Sequence, residues 1–456
     1  MMGWWGILGG MGNVTEKSTD LRAECARVLK ANDRGNYTIP SEGLYPHQWL
    51  WDSCFTAIGL RHIDVERAKA EVLSLLEAQW HNGMVPNMVL RSPKHARDAN
   101  IWRSWLNPFS PDGLKTSGIT QPPLLAEAAV QIGQKMKLTE RRTWYKQVFP
   151  SILSFHEWLY RERDPHQEGL IVQIHPWEVG LDNTPPWVEE LHYKQKVWWI
   201  SLVEKLHIRW LPSLFRRDTR YVPAEQRADI VDLLGLFSAQ RRLRRKNYDM
   251  ERILNHALFA VEDVTFNAIF IRANQHLESM AKTIGKPLPE EFQARMKKTE
   301  KAFEQLWDPY TSQYYCREFI THRLLKQPSI ATLIPLYTGT LSKERAAHLV
   351  SLMKHTDSFG ATYPIPSVPL NSSWFSPLRY WQGPTWVNTN WLVIDGLRQH
   401  GFSEEADTLT ARTVEMVKQS GCYEYFNPLD GKGIGAPDFS WTAALTLDLM
   451  ATQKSK

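Results

Sequence analysis

PTWVNTNWLVIDGLRQHG, residues 384–401, is the stretch from which the fold follows. Trp386/Val387, Trp391, Ile394 and Leu397/Arg398 recur at three- and four-residue steps, the spacing that lines one face of an α-helix. Pro384 suits a first helical turn, where its missing N–H has no helical partner, and Gly401 ends the run. The same signature recurs on both sides. Upstream, Thr19 to Ala31 places Leu21, Cys25 and Val28/Leu29 on one face, Asp64 starts a helix reaching Trp80, and Gln121-Pro122-Pro123 opens one carrying Leu125, Ala129, Ile132 and Met136. SILSFHEWLYRERD (151–164), much of 194–255, FNAIFIRANQHLESMAKTIG (266–285), residues 289–307, SIATLIPLY (329–337), residues 344–354 and the segment from Ser440 read as helices too. About a dozen helices with short connections and little strand suit an all-α double ring, an (α/α)6 toroid with loops capping one end. No linker-like break interrupts residues 19–456, which predicts one domain, preceded over 1–18 by an apolar, ill-defined extension.

Bulk properties exclude several classes. Among 456 residues, 43% hydrophobic and 23% charged is ordinary for a globular protein, and a net charge of +5 gives no argument for nucleic acid. No run approaches a membrane span, and MMGWWGILGGMG lacks the basic start and cleavage site of a signal peptide. Four cysteines (Cys25, Cys54, Cys316, Cys422) stand far apart with no CxxC, so a reducing, cytoplasmic protein without a disulfide framework or metal site is expected. GxGxxG after a strand, a P-loop, GxSxG and zinc signatures are all missing, and no cofactor is expected. Tryptophan is in excess, at 20 residues, which fits either an aromatic core or a cleft with flat apolar faces that match the C–H faces of sugars.

Three acids lie in aromatic surroundings. PWEVGLDNTPPW (176–187) reads as a loop because of Gly180, Asn183 and Pro185-Pro186, and it sets Glu178 and Asp182 among indoles. Burial there would hold a proton on an acid near neutral pH, although most loop aspartates bond local amides. Asp52, in YPHQWLWDSCF (45–55), is either a helix N-cap or a sugar-binding carboxylate. Glu424 sits between Tyr423 and Tyr425 ahead of a turn. Glycoside hydrolysis needs two such groups, one to protonate the leaving oxygen and one to activate water or attack carbon. Arginine clusters at 216–220 and 241–245 read respectively as a loop able to meet an anionic group and as a solvated helix face. Turn-bearing pieces at 163–170, 307–315 and 426–434 read as similar hairpin loops.

YPHQWLWDSCF, SGITQPPLLA, WEVGLDNTPPW, RRDTRY, FNAI, YWQGPTWVNTNW, YEYFNP and DFSWTAAL, in this order, resemble glycoside hydrolase family 63, and within it bacterial enzymes that cleave glucosylglycerate and mannosylglycerate. The resemblance covers Leu21 to the C-terminus. It implies an (α/α)6 barrel and an inverting α-glycosidase with Asp182 as general acid and Glu424 as general base. It also implies that Asp52, Tyr45, Trp49 and Trp51 hold the sugar, and that Gln121, Tyr380, Trp381 and Trp386 line the same pocket. Arg217 and Tyr221 are the candidates for clasping a glycerate carboxylate. Val179 and Gln382 depart from the family pattern, which often has a serine and an arginine there. The expected partner is a small glycoside, with homo-oligomerisation left open. Two other readings stand beside this one: a trehalase-like or oligosaccharide-processing α-glucosidase, and a non-catalytic sugar-binding scaffold docking through 240–246.

Overall fold

The computed structural model describes residues 20–194, 200, 205–207, 210, 216–255 and 257–452. The apolar extension expected over 1–18, and much of the helical run expected at 194–215, lie outside them. The longer helices are α1 (Leu21–Asn32), α2 (Leu50–Leu60), α3 (Val65–Leu76), α4 (Leu125–Gly133), α5 (Leu138–Glu162), α6 (Pro185–Lys194) and α7 (Ile230–Arg245). They continue with α8 (Val264–Ile284), α9 (Glu290–Phe303), α10 (Lys343–Lys354), α11 (Val387–Gln399), α12 (Ser403–Ser420) and α13 (Ser440–Thr452).

Six segments close an inner ring. Each packs on the next in the order α2, α4, α8, the 3-10 segment Ile334–Thr338, α11 and α13, and α13 returns to α2. An outer layer alternates with it along the chain: α1 lies on α13, α3 on α2 and α4, α5 on α4 and α8, α9 on α8, and α12 on α11 and α13. α10 spans α9 and α12, with Arg345 bonded to Glu304 just past α9 and Lys354 to Glu405 at 3.2 Å. This is the (α/α)6 toroid. The two rings differ in sequence for a physical reason. Every residue of α2 is buried, as an inner helix requires, whereas α3 buries mainly Ala68, Val72 and Leu75 on one stripe. α2 and α13 approach so closely that a Cβ on Gly59 would lie 2.3 Å from the Ala444 Cα.

Several helix starts differ from expectation. α11 begins at Val387 with Trp386 as its N-cap, and Pro384 sits in the approach. α4 begins at Leu125 and ends before Met136, leaving Pro122 and Pro123 in the loop. The fourth inner member is two short 3-10 turns in place of a helix over 329–337. Pro335 cannot donate within a helix, and Gly339 at φ +68° turns the chain out. Two of the expected hairpins form, pairing Trp307 with Tyr314 and Phe426 with Gly433. Residues 163–170 instead make a turn in which Asp164 accepts the amides of Glu168 and Gly169.

The expected lone cysteines include one close pair, Cys25 and Cys422, with sulfurs 3.8 Å apart as thiols. Among the described residues no helix is long and apolar enough to cross a membrane. Residues at or just before the starts of α2, α4, α11 and α13 line one common cavity, so these four inner helices start at one end of the ring. The segments that lead into them therefore converge there.

Candidate active site

The turn before α6 is locked from beneath. Glu178 is buried and carries no exposed function: it accepts Arg163 at 2.7 and 3.0 Å and the amides of Ile174 and Thr120 at 2.8 and 3.2 Å. Pro185 and Pro186 do not prolong the loop but open α6, where a first-turn proline loses no hydrogen bond. Gly180 adopts φ +82° and lies flat on Trp51; a Cβ there would stand 2.4 Å from the indole. The chain then presents Asp182 to the centre of the converging loops. Asn183 ties this turn to the next wall, accepting the Trp381 amide at 2.9 Å through its side chain and the Gln382 side-chain amide at 2.9 Å through its carbonyl.

A cavity of about 650 Å³ occupies this end of the ring. Asp182, Glu424, Tyr45, Trp49, Trp51, Asp52, Gln121, Arg217, Tyr380 and Trp381 all line it. Trp386 does not reach it. Its ring stacks behind Trp381 at 3.6 Å and is fully buried, backed in turn by Tyr425 at 4.5 Å. Tyr221 is not a lining residue either; it is 56% exposed and packs its ring over Gly43. Arg217 stands at the exposed mouth, bonded to Asp98 at 2.9 Å. Asp52 is no N-cap, since Trp49 holds that position; it lies in the first turn of α2. Val179 is buried and does not line the cavity, and Gln382 is spent on the Asn183 carbonyl.

The residue the sequence reading missed is Arg227. Its guanidinium lies 4.3 Å over the Tyr380 ring, bonds the Tyr45 hydroxyl at 2.9 Å, and reaches Glu424 at 3.2 Å. Nothing in ADIVD or its neighbours flagged it, because its partners lie far away in the chain. Phe439 and Trp441 complete the wall near Trp51.

The acids experience different surroundings. Burial pushes Asp182 up to about 7, against the pull of Arg227 and the Tyr380 hydroxyl, which donates at 3.3 Å; the nearby Glu424 charge adds to the rise. Burial likewise raises Asp52 well above the ordinary carboxyl range. Glu424 is met by donors: the Tyr45 hydroxyl at 2.6 Å, the Ala436 amide at 3.1 Å and Arg227. Such a set suits a carboxylate, which only accepts. A buried acid able to carry a proton and a carboxylate ringed by donors thus share one cavity with flat indole walls.

Residues 45–442 match the model of the mannosylglycerate hydrolase MGH1-like glycoside hydrolase domain. The mannosylglycerate hydrolase of Rubrobacter radiotolerans is 35% identical, over 95% of this chain and 97% of that one. The glucosylglycerate hydrolase of Mycolicibacterium hassiacum is 31% identical, over 94% and 97%. The family 63 mannosylglycerate hydrolase of Thermus thermophilus, crystallised with Tris and D-glycerate, superposes with a TM-score of 0.84 at 36% identity, covering 94% of this chain and all of that one. The chain belongs to the MGH1-like family of glycoside hydrolases, within family 63, and is a glycoside hydrolase.

Proposed function

We propose that this enzyme hydrolyses a small α-mannoside or α-glucoside of glycerate with inversion at the anomeric carbon. Asp182 gives its proton to the glycosidic oxygen as the bond to C1 breaks. Glu424 takes a proton from the water that bonds to C1 on the opposite face. Tyr45 and Arg227 hold Glu424 in place. Asp52 accepts sugar hydroxyls, Gln121 offers both a donor and an acceptor, and Trp51 and Trp381 flank the ring. Arg217, at the mouth, meets the glycerate carboxylate; Tyr221, turned onto Gly43, is left out of this scheme. Residues 19–456 serve this one site as a single catalytic domain.

The observation that carries the reading is the pairing of a proton-retaining Asp182 with a donor-ringed Glu424 in one cavity. The relatives' names supply the aglycone. The test is hydrolysis of glucosylglycerate and mannosylglycerate followed by NMR from the first turnover. The free sugar should appear as the β-anomer before it mutarotates. First release of the α-anomer, or inactivity on both compounds, would refute the proposal.

A further inference from the structure

The cavity holds more than the acids need. At about 650 Å³ it falls in the range of sites for drug-sized ligands, larger than a hexose joined to a three-carbon acid. Part of its lining also has a different chemistry. The first turns of α7 supply Leu233 and Phe237, the short helix Ala99–Trp102 supplies Ile101 and Trp102, and the turn that carries Asp182 supplies Trp177. Trp177 lies edge-on to Phe237 at 5.5 Å and tilted against Trp102 at 5.9 Å. Phe237 remains 46% exposed.

This wall is fixed rather than incidental. Gln240 of α7 donates to the Ile101 carbonyl at 2.7 Å, and the Tyr248 hydroxyl donates to the Trp102 carbonyl at 2.6 Å. The His175 ring bonds the Leu236 carbonyl at 3.0 Å, tying the Asp182 turn to α7. A glycerate carboxylate or a sugar hydroxyl gains few partners against such a surface and loses water by entering it. An apolar group gains in proportion to the area it buries.

We propose that this annexe is a leaving-group site for α-glycosides whose alcohol carries an apolar chain or ring. The inference rests on the glycosidase reading of Asp182 and Glu424 and widens the substrate class of that site. The chemistry is the same hydrolysis: the bond from C1 to the glycosidic oxygen breaks, water supplies the new oxygen on C1, and the freed alcohol keeps the proton from Asp182.

The test is a series of methyl, butyl and hexyl α-D-mannosides and α-D-glucosides. Their leaving alcohols have similar acidity, so differences report contact rather than bond cleavage. From methyl to hexyl, kcat/KM should rise at least tenfold, since roughly 55 Å² of buried apolar area corresponds to about one factor of ten. Phe237→Ser should shrink the hexyl-to-methyl ratio several-fold, and Phe237→Trp should keep it. If Phe237→Ser fails to fold, the series on the unaltered enzyme still decides. A flat series alongside active glycerate glycosides overturns the annexe alone. Inactivity on the series and on both glycerate glycosides overturns the underlying glycosidase reading, and the annexe with it.

Discussion

Arg227 reaches both carboxylate oxygens of Glu424, at 3.3 and 3.2 Å, and the face of the same guanidinium lies 4.3 Å over Tyr380, whose hydroxyl bonds Asp182. One cation therefore spans the two acids. Lysine would keep the charge but lose the fork and the stack. Arg227→Lys is expected to lower kcat by roughly 10- to 100-fold through misplaced acids, with a smaller change in KM. Steady-state kinetics beside a melting curve checks this. A wild-type kcat would mean the bridge has no part in turnover.

Asp182→Asn and Glu424→Gln remove the proposed acid and base while keeping shape. Each is expected to cost kcat about 10²- to 10⁴-fold, the span of general acid–base catalysis. Circular dichroism should stay native, because neither side chain anchors a helix. The two losses should fail to add in the double variant, since both groups serve one transition state.

The raised Asp182 has two pH consequences. With a pKa of about 7 in the folded protein, it loses its proton above that value, so kcat/KM on glucosylglycerate or mannosylglycerate should decline on the alkaline side of pH 7. Stability follows the same linkage. The ordinary value is 3.8, so between 3.8 and about 7 the unfolded chain ionises while the folded one resists. The folded state then binds more protons, and stability falls as pH rises through that window. Asp182→Asn should therefore raise the Tm relative to wild type more at pH 8 than at pH 5. An equal difference at both would place the proton elsewhere.

Local physics made much of this readable in the chain. The helices announce themselves by apolar residues at three- and four-residue steps, in the inner α11 as in the outer α1. Asp182 and Glu424 stood out because a carboxylate between aromatic rings in a turn is costly and needs a reason. The misreadings arise where tertiary context overrides local preference. Pro185 and Pro186 suit a helix start as well as a loop, and here they open α6. The fourth inner segment is apolar enough for a helix, yet Pro335 and Gly339 confine it to 3-10 turns. Trp386 shares its motif with Trp381 but stacks behind it, out of the cavity, an arrangement that spacing does not encode. Arg227 had no local signal at all: its partners Tyr45 and Glu424 lie 182 and 197 positions away.

The pair beneath the catalytic turn gives a stability test. Arg163 and Glu178 are 3% and 1% exposed and share two hydrogen bonds, with Arg163 also stacked 5.1 Å from Trp158. Burial raises Glu178, and Arg163 is the chief group opposing that rise. Arg163→Met would strand the carboxylate, at an expected cost of about 3–5 kcal/mol in urea unfolding. Removing both charges with Arg163→Met and Glu178→Met should cost less than the sum of the single changes, because neither partner is then left unpaired. Activity should fall in the variants that lose Glu178, since it also holds the amides of Ile174 and Thr120, next to the segments that bring Trp177 and Gln121 to the cavity. Strictly additive losses would show that the two side chains act independently.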